Sequence, residues 1–328
     1  MRIMVAIGIA GTGGMATQRV NCFRRMEGVE VAAVYSRCTE RARALCPEAR
    51  PFEDYEAMLD SVEAVALCLP NNLHAACALR ALESGRHALV EYPLCIAPGE
   101  MEALGSAAER SGCVLMVGNT IVHEAMFRWV VERSGRLGEL LSAASRVGYF
   151  GSDIAGAWYM DPAQSGSPFV AYHYHHIEYY RRILGEVRWV HARDESRPDP
   201  RKPDFLSVSG GTLVMGHVGA RTSCIQWYLS AGGRGSLPRG FWLNGTAGSL
   251  TIVSHEKDRS LAILDVGGER TSETLDDEWG VEGSCRDFIE AIRGNMDHRA
   301  RLAEDMMTLR IGLAAAESAR LDAPVTLD

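Results

Sequence analysis

The stretch Ile3-Met4-Val5-Ala6-Ile7-Gly8-Ile9-Ala10-Gly11-Thr12-Gly13-Gly14-Met15-Ala16 decides the reading of the N-terminal half. Ile3–Ile9 is a short apolar run, the pattern of a buried strand. It leads into G-x-G-x-x-A, in which each small residue has a task. Gly11 permits the tight turn, Gly13 lets the backbone approach a pyrophosphate, and Ala16 allows close helix–strand packing. The helix that follows, Met15–Met26, offers unpaired N–H groups to phosphate at its start. A Gly-rich turn alone is weak support. This one follows a strand and opens a βαβ unit, so Gly11, Gly13, Gly14 and Met15 are read as part of a dinucleotide site. The same run superficially resembles a short secretory leader, but the order of its glycines has this other explanation.

Beyond it, short apolar runs alternate with helical patterns. Strands are expected at Val29–Tyr35, Val65–Leu69, His87–Glu91 and Val114–Val117. Helices are expected at Thr39–Leu45 with Thr39 as N-cap, at His74–Ser84 closed by Gly85, and at Pro98–Arg110. This alternation implies parallel βαβ units, hence a Rossmann domain over residues 1–119. After about residue 120 the pattern changes. A helix near Glu124–Ser134 precedes a strand at Leu140–Tyr149 and a helical stretch at Val170–Leu184. Strand-like runs follow at Val187–Asp194, Leu206–Ser209, Thr212–Val218, Thr222–Leu229 and Ser249–Val253. Helices near Arg286–Arg293 and Leu302–Leu321 end the chain. The expected class is therefore α/β: a Rossmann domain, then a substrate-binding and oligomerisation domain over residues 120–328 with an open, largely antiparallel sheet. Arg197–Pro203, with three prolines and mixed charge, reads as an exposed loop.

With 328 residues, two domains are the natural expectation. A hydrophobic fraction of 47% and a charged fraction of 23% are those of an ordinary globular protein. The net charge of −8 argues against nucleic-acid partners and against docking on an anionic membrane. No apolar stretch is long enough to span a bilayer. The nine cysteines contain no CxxC pair, so they read as reduced thiols of a cytoplasmic protein.

Cofactor choice falls at the end of the second strand. An Asp or Glu there would bond the ribose 2′-hydroxyl and repel a 2′-phosphate. Ser36-Arg37 stands there instead, and a hydroxyl beside a guanidinium suits a 2′-phosphate. NADP(H) is therefore expected over NAD(H).

Leu67-Cys68-Leu69-Pro70-Asn71-Asn72-Leu73-His74 and Ala81-Leu82-Glu83-Ser84-Gly85-Arg86-His87-Ala88-Leu89-Val90-Glu91 narrow the reading further. With Gly135-Arg136-Leu137-Gly138, Gly245-Thr246-Ala247-Gly248-Ser249 and the segment Asp305 to Val325, they resemble the Gfo/Idh/MocA oxidoreductases. The resemblance implies a Rossmann domain followed by an α/β domain, a sugar- or polyol-like small-molecule substrate, and a homodimer or homotetramer. It extends the cofactor site to Leu69, Pro70, Asn71, His74 and Glu91. Two departures from the family pattern stand out. The usual Glu-Lys-Pro is Glu91-Tyr92-Pro93, a triplet that looks like that of biliverdin reductase. The usual Asp-x-x-x-His is Ala171-Tyr172-His173-Tyr174-His175, which keeps only the His.

These departures have a chemical consequence. Oxidising an unactivated alcohol needs a base near the hydroxyl. Tyrosine, with a reference pKa of about 10, serves more readily as a proton source. Tyr92 and His175 are thus the expected proton-handling pair for reduction of a C=O, a C=N or a conjugated C=C. If Val170–Leu184 is one helix, His175 and Tyr179 share one face while His173, His176 and Tyr180 share another. Weaker substrate-contact candidates are Asn119, His123, Trp158, Tyr159, Tyr172 and His176. A capping role for Asn119 is an equal alternative, and Asp161 reads as the start of a structural Asp-Pro turn. His173 and His176 lack a carboxylate or cysteine set to complete a metal site, so no metal is expected. Two other functions stay open: a biliverdin-type reductase, and a dinucleotide-binding sensor that has lost turnover.

Overall fold

The computed structural model describes residues 4–150, 156–231, 239–256, 259–276 and 279–327. The chain forms two compact units. One contains the residues up to Thr120 together with Gly280–Met307, and the other contains Ile121–Trp279 with the residues from Thr308 onward.

In the first unit, β1 (Val5–Ala10), β2 (Val29–Tyr35), β3 (Arg50–Phe52), β4 (Ala64–Leu67), β5 (His87–Val90) and β6 (Leu115–Val117) form one sheet in the order β3-β2-β1-β4-β5-β6. Every pairing is parallel. The connecting helices are α1 (Gly14–Phe23), α2 (Thr39–Leu45), α3 (Tyr55–Leu59), α4 (His74–Glu83) and α5 (Pro98–Ser111). Ile7, Ile9, Val34, Ala64, Val65, Leu67 and Val90 are shut off from solvent, as a parallel sheet covered on both faces requires. The strand order reverses between β1 and β4, so the crevice outside their carboxyl ends is where such a fold accepts a ligand. The expected strands and helices of this unit lie where they were read. β3 and α3 are additions, and Cys38 rather than Thr39 takes the N-cap position of α2. The Thr39 hydroxyl bonds the Glu53 carboxylate instead.

The second unit is built on a ten-stranded mixed sheet. Its strands are β7 (Leu140–Phe150), β8 (Val187–Asp194), β9 (Arg197–Asp199), β10 (Lys202–His217), β11 (Thr222–Ser230), β12 (Gly240–Gly245), β13 (Gly248–Glu256), β14 (Arg259–Val266), β15 (Glu269–Asp276) and β16 (Val325–Thr326). They run in the order β15-β14-β13-β12-β7-β11-β10-β8-β16, with β9 paired to β10. β7 with β11 is parallel and all other pairs are antiparallel. The helices are α6 (Ala125–Ser134), α7 (Pro162–Ser165), α8 (Pro168–Ala171) and α9 (Tyr174–Leu184), followed late in the chain by α10 (Val281–Ile292) and α11 (His298–Leu321). Of these last two, α10 lies in the first unit and packs on α1.

Register shows what the helix-covered face is made of. Ala262, Ile252, Phe241, Ser145, Ile225, Leu213 and Ala192 lie directly opposite one another across seven strands. All seven are buried, and Ser145 is the one polar residue in the row. The opposite face leaves Trp189 and Trp242 partly exposed.

Three local expectations change. Leu206–Ser209 and Thr212–Val218 are parts of the single strand β10. Gly210 and Gly211 continue it because a Cβ on either would run into the neighbouring strands, at the Trp227 and Arg193 carbonyl oxygens. Arg197–Pro203 is exposed, yet its first three residues pair with β10 as β9. The single helix expected at Val170–Leu184 is two, α8 and α9. The Pro168 carbonyl accepts from both Tyr172 N–H (2.9 Å) and His173 N–H (3.2 Å), which closes the first turn, and His173 becomes the N-cap residue of α9.

Candidate functional site

The first unit carries a cradle at the carboxyl end of β1. Gly11 has φ 111°, and a Cβ there would strike the Cys68 carbonyl oxygen, so only glycine fits. A Cβ on Gly13 or Gly14 would meet nothing, and no side chain caps the start of α1. Its first N–H groups therefore face an open, uncrowded space beside Met15. That is the geometry a pyrophosphate requires, so these residues fit a dinucleotide.

At the end of β2, Ser36 donates its N–H to the Phe52 carbonyl (2.9 Å), and its hydroxyl accepts from Cys38 N–H (3.2 Å). The turn is thereby closed with the hydroxyl proton still available to an acceptor. Arg37 is exposed beside it.

The ends of β4 and β5 are tied together from beneath. Leu69 and Pro70 are half-buried and Asn71 is buried. His74 is fully buried, with Nδ1 2.7 Å from the Pro93 carbonyl and Nε2 2.9 Å from the Leu69 carbonyl. Burial lowers its pKa against the pull of those two carbonyls. His74 thus positions the two loops by joining them. Glu91 is also buried, and its Oε1 accepts from Arg19 Nε at 2.7 Å. Arg19 in turn donates to the carbonyls of Gly118 (3.1 Å) and Val281 (3.3 Å), to the Ser284 hydroxyl and to Cys285 Sγ (3.3 Å). Burial opposes the Arg19 charge, but Glu91 and Cys285 more than offset it and its pKa rises. The next residue, Tyr92, is half-buried, and the Tyr92–Pro93 peptide is cis. Arg19 was not singled out from the sequence. The signal was there: a charged residue lying between Ala16, Val20 and Phe23 on the apolar stripe of α1.

The second unit contains a cavity of about 260 Å³ between α6, α9 and the sheet. His175, His176, Tyr179 and Tyr180 line it together, so the two helix faces expected to be distinct serve one cavity. Ser145, Trp227, Phe241 and Ile252 form its floor. The Tyr179 hydroxyl and Trp227 Nε1 are buried without a partner among the described residues. Burial raises the Tyr179 pKa, reinforced by Tyr180 and Glu124, so it stays a donor. Burial, then the charge of His176, drives His175 down to about 3, and burial drives His176 down to about 4. Both are neutral imidazoles at neutral pH. His173 lies outside the cavity, fully enclosed, with its pKa likewise at about 3 from burial and then His176. Tyr179 and Trp227 were missed from the sequence as site residues because an aromatic on a helix or strand reads equally well as core.

The weaker candidates scatter. Asn119 is buried and donates to Asp305 Oδ1 at 3.0 Å. His123 lies in a short helical turn and its carbonyl accepts from Arg128. Trp158 is partly exposed and packs edge-on against Tyr159. The Tyr172 hydroxyl bonds the Tyr159 carbonyl, and its ring stacks on Trp227 with centroids 6.2 Å apart. Asp161 caps α7 by accepting from Ala163 N–H at 2.9 Å. Among the described residues, no group of three or more His, Cys, Asp or Glu side chains could hold a metal ion, and no helix is long and apolar enough to cross a membrane.

A parallel sheet in this strand order, a glycine cradle at its switch point and a second unit on a mixed sheet define a nicotinamide-dinucleotide-dependent oxidoreductase. Residues 5–119 match the NAD-binding Rossmann-fold domain of the Gfo/Idh/MocA oxidoreductases, and residues 130–251 match the C-terminal domain of the same group. The chain belongs to the Gfo/Idh/MocA family and is an NAD(P)-dependent enzyme. It is 26% identical to D-xylose 1-dehydrogenase (NADP(+)) 2 of Haloferax volcanii, covering 98% of this chain and 99% of the relative. It is 33% identical to an uncharacterized oxidoreductase of Rhizobium meliloti, but over only 42% of this chain and 43% of that one. Its fold agrees with that of the biliverdin reductase of Synechocystis sp. PCC 6803 solved with biliverdin and NADP+, at a TM-score of 0.87 and 20% identity, covering 96% and 99% of the two chains.

Proposed function

We propose that this chain is an NADP(H)-dependent reductase acting on a C=O, a C=N or a conjugated C=C of a small sugar-like or specialised metabolite. The direction is supported by Tyr92, a phenol where the family carries lysine, and by the place of His175 in the cavity lining, where burial lowers its pKa. A histidine with a pKa of about 3 is a poor base for taking a proton from an unactivated alcohol at neutral pH. The phenol of Tyr92, standing where the family carries lysine, has a proton to give. A bound reduced nicotinamide supplies hydride, so that R2C=O, NADPH and H+ become R2CHOH and NADP+. Tyr92 is assigned the proton delivered to the substrate heteroatom, and His175 is assigned a neutral hydrogen bond that orients the substrate. Preference for NADP(H) is supported by the Ser36 hydroxyl and the exposed Arg37 guanidinium, where an acidic residue would repel the 2′-phosphate.

The test is turnover against binding. Tyr92→Phe and His175→Ala should each lower NADPH-dependent turnover with a carbonyl panel while NADPH affinity is kept. Unchanged turnover in Tyr92→Phe removes it from the reaction. Glu91-Tyr92-Pro93 favours one second reading, a biliverdin-type reductase, which requires that biliverdin be consumed with NADPH. If NADPH binds and no compound oxidises it, the chain is a sensor. The exposed Trp189 and Trp242 on one sheet face support assembly into a homodimer or homotetramer, which light scattering checks.

A further inference from the structure

We infer that Cys22 and Cys285 form a peroxide-sensitive dithiol: hydrogen peroxide oxidises Cys22, and Cys285 then closes a disulfide that clips α10 to α1. Both residues belong to the first unit, and neither takes part in the reduction proposed above.

The pairing is a tertiary contact. α10 packs on α1, and Arg19 of α1 donates to Cys285 Sγ at 3.3 Å across 266 positions of chain. Cys22 stands one helical turn beyond Arg19, so the same face of α1 carries both. There the Cys285 S–H donates to the Cys22 sulfur. Arg25 Nη2 donates to Cys22 Sγ at 3.7 Å and pairs with Glu282 of α10 at 3.5 Å. Each sulfur thus meets the other thiol and a guanidinium. Val20, Phe23, Val281, Phe288 and Ile289 belong to the apolar cluster around them.

A structural buried cysteine is inert, because burial in apolar surroundings opposes the thiolate that reacts. Cys22 departs from that rule. The hydrogen bond from Cys285, aided by Arg25 and Arg19, outweighs burial and the Glu282 charge and brings its pKa down to about 7. Cys285 moves the other way, pushed up by burial and then by the proton it shares with Cys22. Access divides the pair in the same sense. Cys285 has no exposed surface, whereas Cys22 keeps 5% beside Arg25, whose side chain is 63% exposed. A molecule little larger than water therefore reaches Cys22 first. A low-pKa thiol poised next to a resolving thiol is the pattern of a redox-sensing pair.

The chemistry balances in two steps. The Cys22 thiolate attacks one oxygen of the peroxide, so an S–O bond forms and the O–O bond breaks. Sulfur is oxidised by two electrons, and the departing hydroxide takes up the proton that Cys22 released. Cys285 then attacks the Cys22 sulfur, forming S–S and breaking S–O, and its proton leaves with that hydroxide as a second water. Two thiols and one hydrogen peroxide become a disulfide and two waters. Arg19 Nη1, beside Cys285 Sγ, supports the charge as that thiol ionises.

The experiment treats the full folded chain with hydrogen peroxide at pH 7, blocks remaining thiols with N-ethylmaleimide and maps tryptic peptides without reductant. Cys22 and Cys285 fall in separate peptides, residues 20–24 and 271–286, and neither holds another cysteine. These two are expected as the main linked species, released by dithiothreitol. In Cys285→Ser, Cys22 should stop as a sulfenic acid that dimedone captures; in Cys22→Ser, Cys285 should stay a thiol. The rate of Cys22 oxidation should reach half its maximum at a pH of about 7. Cys22 remaining reduced while the partly exposed Cys38 and Cys77 oxidise overturns the inference. So do linkages scattered as in the urea-unfolded chain, Cys285 oxidised equally in Cys22→Ser, or a half-maximal rate at or above pH about 8.5, the free-thiol value.

Discussion

The two units place their buried charges differently with respect to their candidate sites. The first encloses a full ion pair, Arg19 with Glu91, and satisfies the guanidinium with two carbonyls, a hydroxyl and a thiol. The second also buries a charged group, Glu178 with Arg181 and Arg182, but outside the cavity lining; the histidines of that lining are neutral, and Trp227 Nε1 is buried without a partner among the described residues. A buried charge is tolerated when it is paired, and Arg19 holds Glu91, the residue before Tyr92, through Oε1, while Oε2 is buried without a partner among the described residues. A buried neutral donor is tolerated at lower cost.

The comparison can be broken most forcefully at the ion pair. Arg19→Ala strands Glu91 in the core and should cost the first unit about 3–5 kcal/mol, read as a shift in urea midpoint. The double change to Arg19→Met with Glu91→Leu should recover much of that loss. If Arg19→Ala leaves the midpoint in place, the pair carries no structural weight and the contrast collapses.

Next in size is Gly11→Ala, where the positive φ and the Cys68 carbonyl both oppose a side chain. Strain of about 1–3 kcal/mol should appear, with NADPH binding weakened at least about tenfold. A fluorescence titration of NADPH measures it, and an unaltered affinity would place the pyrophosphate elsewhere.

The neutral side of the contrast predicts acid sensitivity. His173 is closed off, whereas His175 and His176 keep partial exposure to the cavity, so His173 is the firmest case. Its folded pKa of about 3 lies below the unfolded value of about 6.5. Between these values the unfolded chain binds more protons, so stability is complete above about pH 6.5 and falls as pH drops toward about 3. The slope contributed by one such group is at most about 1.4 kcal/mol per pH unit. On acidification across that range the wild type should lose unfolding midpoint relative to His173→Phe, which lacks the titrating group. Parallel curves would mean that His173 is protonated in the fold.

The smallest effect is expected at an exposed charge. Arg37→Ala should reduce NADPH affinity about five- to tenfold, about 1 kcal/mol, and leave NADH affinity alone. Equal losses for both cofactors would detach Arg37 from the 2′-phosphate.

Legibility in the sequence divided along the same line. β2 and α2 begin and end where their residues predict, because Val31, Ala33 and Val34 of the strand and Ala42 of the helix bury an apolar side, although no side chain caps α2. β15, Glu-Arg-Thr-Ser-Glu-Thr-Leu-Asp, is almost wholly exposed and carries no alternating apolar signal; it is a strand because β14 pairs with it. The break between α8 and α9 was equally hidden, since no proline or glycine marks Tyr172–His173 and only the doubly used Pro168 carbonyl creates it.

The sequence by itself determined the class of this protein and the strand–turn–helix cradle that opens it. Gly11, Gly13 and Gly14 serve a strand–turn–helix whose geometry is local, and local geometry is written in consecutive residues. Ser36 and Arg37 are likewise positioned by the end of one strand. Tertiary structure alone decided that Arg19 neutralises Glu91 across 72 positions of chain, that His74 joins two loops, and that His175, His176, Tyr179 and Tyr180 line one cavity. Each of those facts depends on which distant surface a side chain meets when water is excluded, and residue type constrains that meeting without specifying it.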